Sequence, residues 1–269
     1  MHNVKSNANI TENINRFPHS FDDLIDQRTF FGKNMLRNNL IATIIAFGIA
    51  LVWLRINNFA AQKHWISSQL SRKFIHIGTG PIFVLSWLLF NDNPTARFLA
   101  ALVPLTITIQ FILVGLGVIR DKAAVQSMSR TGDRREILRG PLYYGVIFII
   151  ITLIYWKYTP IGIVALMMVC GGDGLADIIG RRFGKAKLPW NGSKSWAGSL
   201  GMFFGGWSLS IIIVAIYIYA DKFSGPITIY IPAISLIAVA ATIVETLPIP
   251  DIDNISIAFV SLILGHLLF

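Results

Sequence analysis

The chain is poor in charge and has almost no cysteine. Only 14% of its 269 residues are charged, with 14 Asp and Glu against 23 Lys and Arg, while 54% are hydrophobic. Soluble globular domains carry about a quarter charged residues, so this deficit excludes that class. The single cysteine, Cys170, cannot form an internal disulfide, and its apolar neighbours make it a packing residue rather than a nucleophile. The patterns G-x-x-x-x-G-K-[ST], H-E-x-x-H and G-x-S-x-G are missing, which removes the P-loop, the zincin helix and the serine-hydrolase elbow. No repeat with a period of 20 to 50 residues and no low-complexity tract occurs.

Long apolar runs are what the chain does have. Membrane spans are expected at roughly 40–54, 74–90, 98–119, 142–156, 160–180, 197–219, 227–245 and 255–269, each long enough or nearly so for a ~30 Å hydrocarbon core. The fold class is therefore all-α, a polytopic membrane bundle of seven or eight transmembrane helices in a lipid bilayer. The membrane-embedded domain is 40–269, and 1–39 is a polar arm. With Glu12, Asp22, Asp23 and Asp26, that arm reads as neither a secretory signal nor a transit peptide.

A net charge of +9 raises nucleic acid as a partner, but the positions of the charges argue against it. Basic residues crowd the loops after spans one, three and five, whereas the alternate loops hold only Arg97, Lys157 and Lys222. This is the positive-inside pattern, which places the basic loops on the cytoplasmic or equivalent side of a multi-pass protein. One conflict stands: Lys5, Arg16, Arg28, Lys33 and Arg37 put as much positive charge before the first span as after it.

Polar residues cluster at the same expected face. Arg72, Lys73 and His76 begin span two, Asp133 to Tyr144 lead into span four, Asp173 and Asp177 end span five, and Glu245, Asp253 and Asn254 flank the last turn. Carboxylates at the end of an apolar segment are costly, so they mark an ion or charged-substrate site. Asp173 and Asp177, four apart, share one helical face and suit Mg²⁺, which takes one or two carboxylates and completes its shell from nucleotide phosphates. The plainer alternative is an ion pair with Arg181, four residues beyond Asp177. Gly171, Gly172 and Gly174 would let a phosphate or a neighbouring backbone approach. Arg181, Arg182, Lys185, Lys187 and Lys194 could neutralise a transferring phosphate or serve only as a solvated loop. His76 could bind phosphate or act as a base, or simply pack; Asp253 or Asn254 could cap the final helix. An ion-pathway transporter is a further reading, opposed by the gathering of the acids at one face.

Four blocks, R-K-F-I-H-I-G-T-G from Arg72, G-D-R-R-E-I-L-R-G-P-L-Y-Y from Gly132, the G-D-G-L-A-D stretch through Gly198, and E-T-L-P-I-P-D-I-D-N from Glu245, carry a resemblance over residues 72–254. The chain resembles the membrane-embedded, CTP-using polyprenol kinases, in particular their phytol kinase branch. The resemblance implies a CTP- and Mg²⁺-dependent phosphotransferase acting on a long-chain isoprenoid alcohol such as phytol, with phytyl phosphate feeding tocopherol formation and phytol salvage. It implies Asp173, Asp177, Lys187 and Lys194 at the nucleotide; Asp173 and Asp177 are the candidates for the metal, and Arg72, Lys73, Arg135, Gly172 and Arg181 are further candidates for the nucleotide. Asp173, His76 and Glu245 are the candidates for moving the hydroxyl proton. Ala197 stands where dolichol kinases carry an acid, favouring the phytol-like branch. The D-x-x-A-x-x-x-G-R-x-F-G-K-x-K-L pattern is also similar to phosphatidate cytidylyltransferases, but their C-terminal basic motif has no counterpart, since no Lys or Arg follows Lys222.

Overall fold

The computed structural model describes residues 21–129, 131–248 and 252–269, with side chains described from residue 37 onward apart from Ser68. Residues 1–20 of the expected arm and Arg130 of the basic loop lie outside the described residues. Ten α-helices run in order: α1 (Phe21–Gln62), α2 (Ser68–Ser86), α3 (Ala96–Leu116), α4 (Lys122–Met128), α5 (Gly140–Ile154), α6 (Pro160–Met167), α7 (Gly174–Phe183), α8 (Trp196–Tyr219), α9 (Ile231–Glu245) and α10 (Asp253–Leu268). A small antiparallel pair, β1 (Lys187–Leu188) and β2 (Asn191–Ser195), joins α7 to α8. The all-α membrane bundle is what the apolar runs predict. Five stretches are long and apolar enough to cross a membrane: Arg37–Gln62, Ala96–Leu116, Arg134–Ile154, Pro160–Phe183 and Trp196–Tyr219. α9 and α10 are apolar but shorter. α1 runs without a break through the expected arm boundary at residue 39.

Local chemistry sets most of the boundaries. The Ser67 hydroxyl accepts from the Leu70 amide to start α2, Asp121 does the same for α4 through Ala124, and Ser195 starts α8 through Gly198. Pro141, Pro160 and Pro232 open α5, α6 and α9, where a missing N–H costs nothing. Gly117 closes α3 at φ 83°, a left-handed conformation that favours glycine. Ile252 holds the N-cap position of α10, so the capping weighed for Asp253 or Asn254 does not occur.

Between α6 and α7 the helix loosens into a π-helical turn, Met168–Asp173. Insertions of this kind mark functional sites, and here the turn ends on Asp173. Gly171 and Gly205 make it possible, because a Cβ on either would run into the other's backbone where α8 crosses. The stretch Pro160–Phe183 is the central element, with 72% of its apolar window buried, against 17% for α1 at the periphery. The core around it joins Val164, Met167 and Val169 to Trp87, Trp156, Met202, Tyr217 and Ile237.

Polar side chains fasten both ends of the bundle. At one end Asp92 takes salt bridges from Lys157 and Lys222, each 2.9 Å. Hydrogen bonds from both lysines, Lys222 foremost, hold the Asp92 carboxyl below its ordinary pKa against a small opposing effect of burial. The other end carries the cluster described next. α1 and α2 run antiparallel between the two ends, tied by Asn39 Nδ2 donating to Asn91 Oδ1 (2.9 Å) and by Ser71 Oγ donating to Asn57 O (3.1 Å).

Candidate active site

Four separate stretches of sequence deliver ionic groups to one cavity of about 920 Å³. The first turns of α2 present Lys73 and His76, three apart and so on one face. The π turn presents Asp173, and α7 presents Asp177 one helical turn on. Lys73 Nζ lies between these carboxylates, 3.4 Å from Asp173 Oδ2 and 3.5 Å from Asp177 Oδ2. The ion pair weighed for Asp177 is present, since its other oxygen accepts from Arg181 Nε at 2.8 Å.

His76 Nε2 is 3.3 Å from Asp173 Oδ2 and 3.1 Å from the Val169 carbonyl. Both neighbours are acceptors, so Nε2 carries a proton and His76 steadies Asp173 as a donor. Tyr144, to which the sequence assigned no role, fixes this histidine from behind. Its hydroxyl donates to the His76 carbonyl at 2.8 Å, and the two rings lie 4.5 Å apart. A tyrosine in an apolar helix, here beside a second one at Tyr143, gives no sequence signal for such a contact.

The hairpin and the last two helices build a second cluster. Lys194 on β2 pairs with Glu245 at the end of α9 and with Asp253 of α10, the latter at 3.1 Å. Glu245 is 4% exposed, so its charge depends on that lysine. Burial works against the Lys194 ammonium, but Glu245 and Asp253 outweigh it and hold its pKa above the ordinary lysine value. Asn191 Nδ2 donates to Thr246 O at 3.1 Å and ties the hairpin to the same turn. Asn254 Oδ1 is buried at the cavity with no donor among the described residues.

The convergence expected from the sequence is thus largely present. Arg72, Lys73, His76, Asp173, Asp177, Arg181, Lys187, Lys194 and Glu245 all line the cavity. Arg72 also donates to the Ser129 carbonyl at 3.2 Å. Two expected members lie elsewhere. Arg135 is exposed on a short 3-10 turn, where its amide donates to Asp133 Oδ1, and Arg139 and Glu136 line the cavity instead. Gly172 is buried against Met202 of α8, so its small size serves helix packing rather than phosphate approach.

Beyond the ionic mouth the same cavity continues between α1, α2, α3 and α5, where Trp53, Ile82, Phe83, Ile107, Phe111 and Phe148 line it. One end therefore suits a multiply charged, water-soluble molecule and the other a hydrocarbon. Two carboxylates converging on one ammonium also define a position for a cation. Among the described residues no three His, Cys, Asp or Glu gather to hold a metal by themselves. That donor set fits a hard ion such as Mg²⁺, which draws its remaining ligands from water and phosphate.

Comparison with known proteins gives consistent relatives. The chain is 40% identical over 238 residues to a probable chloroplastic phytol kinase of Triticum aestivum, covering 88% of this chain and 79% of the relative. It is 35% identical over 238 residues to phytol kinase 1 of Arabidopsis thaliana, covering 88% and 78%. Farnesol kinase of Arabidopsis thaliana is 39% identical over 245 residues, covering 86% and 77%. No protein-family model and no solved structure matches the chain.

Proposed function

The chain belongs to the family of phytol and farnesol kinases, membrane phosphotransferases with an isoprenoid alcohol as acceptor, and on that premise we propose transfer of the γ-phosphoryl group of CTP to phytol. The observation that carries this reading is the continuity of the cavity. A polyphosphate needs cations and water, a prenyl chain needs an apolar wall, and the reacting hydroxyl must meet the phosphate where the two environments join. Lys73, His76, Asp173 and Asp177 stand at that junction.

In this mechanism Asp173 and Asp177 would hold Mg²⁺, which would supply neutralisation of the negative charge that builds during phosphoryl transfer. Arg181 and Lys187, at the mouth, meet the outer phosphates, and Lys73 is close enough to turn from the carboxylates to the γ-phosphate. Lys194 is held by Glu245 and Asp253, so it offers the nucleotide a fixed positive charge on the hairpin. Nε2–H of His76 is committed to Asp173 and Val169, Glu245 is engaged by Lys194, and Asp173 is engaged by Lys73 and His76, so all three candidates for the alcohol proton are held by protein partners and no base is assigned among them. The remaining wall excludes water, which would otherwise compete with the alcohol for the phosphoryl group. A multi-pass topology with the mouth on the side of the basic loops agrees with the positive-inside pattern.

The test incubates the purified protein in detergent with phytol, Mg²⁺ and each nucleoside triphosphate in turn. The expected products are CDP and phytyl phosphate, with CTP the preferred donor. Release of pyrophosphate with a CDP-lipid would refute the kinase reading and favour cytidylyl transfer; solute flux without nucleotide would favour a transporter.

A further inference from the structure

The apolar arm of the cavity has a floor and a measurable depth. Ala46 of α1, Phe83 of α2, Val103 of α3 and Phe148 of α5 line it, all at most 5% exposed. Phe83 and Phe148 close it from opposite sides with ring centroids 5.7 Å apart. From His76, at the ionic mouth, to Phe83 is seven residues of α2, or about 10 Å at ~1.5 Å per residue. An extended carbon chain advances roughly 1.2 Å per bond, as the extended backbone does, so this depth takes about eight bonds, the first two isoprene units of a prenol.

A longer chain must leave the straight groove, and small side chains line it on α1, whereas the small pair Gly145 and Thr108 is closed by the tight packing of α5 on α3. On α1, Ala46 and Ala50 line the cavity, while larger Trp53 and Leu54 stand nearer the mouth. The register of α1 on α2, with Asn57 opposite Ser71 and Asn39 opposite Asn91, puts Ala50 part-way down and Ala46 level with the floor. α1 is a single outer layer, and Ile45 and Ile49 beside these alanines are 44% and 41% exposed on its outer face.

We propose that Ala46 and Ala50 determine the chain length this protein accepts: the groove encloses two isoprene units, and the third and fourth pass over these two methyl groups to the outer face of α1. The inference rests on the isoprenoid-alcohol kinase reading. In a membrane the prenyl chain starts from lipid, so discrimination comes from steric fit rather than from transfer out of water.

The experiment measures kcat/KM for geraniol and phytol, with two and four isoprene units, in the same mixed micelles for the full chain and for Ala50→Val and Ala50→Leu. Taking the phytol-to-geraniol ratio of each variant over that of the unsubstituted protein cancels the different partitioning of the two alcohols. The expected ratio falls in the order Ala, Val, Leu, by at least ~10-fold for Leu, the scale on which an apolar pocket rejects an ill-fitting group. Adding Phe148→Ala to Ala50→Leu opens the floor as a second way out and raises the ratio again. A ratio that stays within twofold in both single variants overturns the proposal, as does loss of all activity in Ala50→Val, which would show the position acting on the fold. Absence of turnover of either alcohol by the unsubstituted protein refutes the kinase reading itself.

Discussion

Replacing Lys194 by methionine separates what that residue does for stability from what it does for chemistry. The substitution keeps the length of the side chain and removes the charge that Glu245 faces at 4% exposure. Removing one partner of a buried pair costs roughly 3–5 kcal/mol, because the remaining charge stays buried without compensation. Lys194 itself is 24% exposed and its second partner, Asp253, 32%, so water shares the load and the expected loss lies at the lower end, about 3 kcal/mol. The double variant Lys194→Met/Glu245→Gln removes the buried charge and leaves only Asp253, 32% exposed to water, without its lysine, so it should return to within about 1 kcal/mol of the starting stability. Reversible unfolding in mixed micelles, followed by tryptophan fluorescence, reads the cycle. Kinase rate then distinguishes two roles. If Lys194 presents its charge to CTP, the stable double variant remains inactive or shows a raised KM for the nucleotide; if the triad is only a staple, activity returns with stability. A cost below about 1 kcal/mol for Lys194→Met, or strict additivity across the cycle, would refute the coupling drawn from the geometry.

Asp173→Asn should reduce turnover on the order of a hundredfold or more while the protein still inserts and folds, measured as prenyl phosphate formed at saturating Mg²⁺. Normal turnover would dismiss the metal assignment. Gly80→Ala should destabilise the bundle by about 1–3 kcal/mol, because the new methyl would overlap the Cys170 side chain. Combining it with Cys170→Gly should recover most of that loss, read by the same unfolding assay. Asp92 gives a pH signature at the other end of the bundle. Its folded pKa lies below the ordinary value of 3.8, so its stabilising contribution is present above that value and disappears as the pH falls through the folded pKa. The stability difference between the parent and Asp92→Asn should therefore persist at neutral pH and close below pH 3.8. A difference independent of pH across that range would contradict the ion-pair account.

The class of the fold was legible because a bilayer imposes it on composition: apolar runs of span length must be helices that satisfy their own backbone. Asp173, Asp177 and Arg181 were legible for a similarly local reason, since i,i+4 spacing on a helix fixes which side chains meet whatever lies around them. Gly172 was misread because a glycine beside an acid looks the same whether it yields space to a phosphate or to Met202, and only the crossing of α8 decides between them. Arg135 is not legible as lying outside the site, because three arginines within six residues look alike in sequence and only the 3-10 turn decides that Arg139 lines the cavity while Arg135 does not.

Sequence by itself determined that this is an apolar helical protein with costly charges at one set of helix ends, for burial costs and helical periodicity act over a few residues. Tertiary structure alone decided which charge answers which. Lys73 and Asp173 are a hundred residues apart, and Lys194 meets Glu245 across fifty-one. No local rule ranks such pairings; the packing of α2, α8, α9 and α10 around the loosened turn at Asp173 does, because ion pairs depend on distance in space and buried charges require their partners.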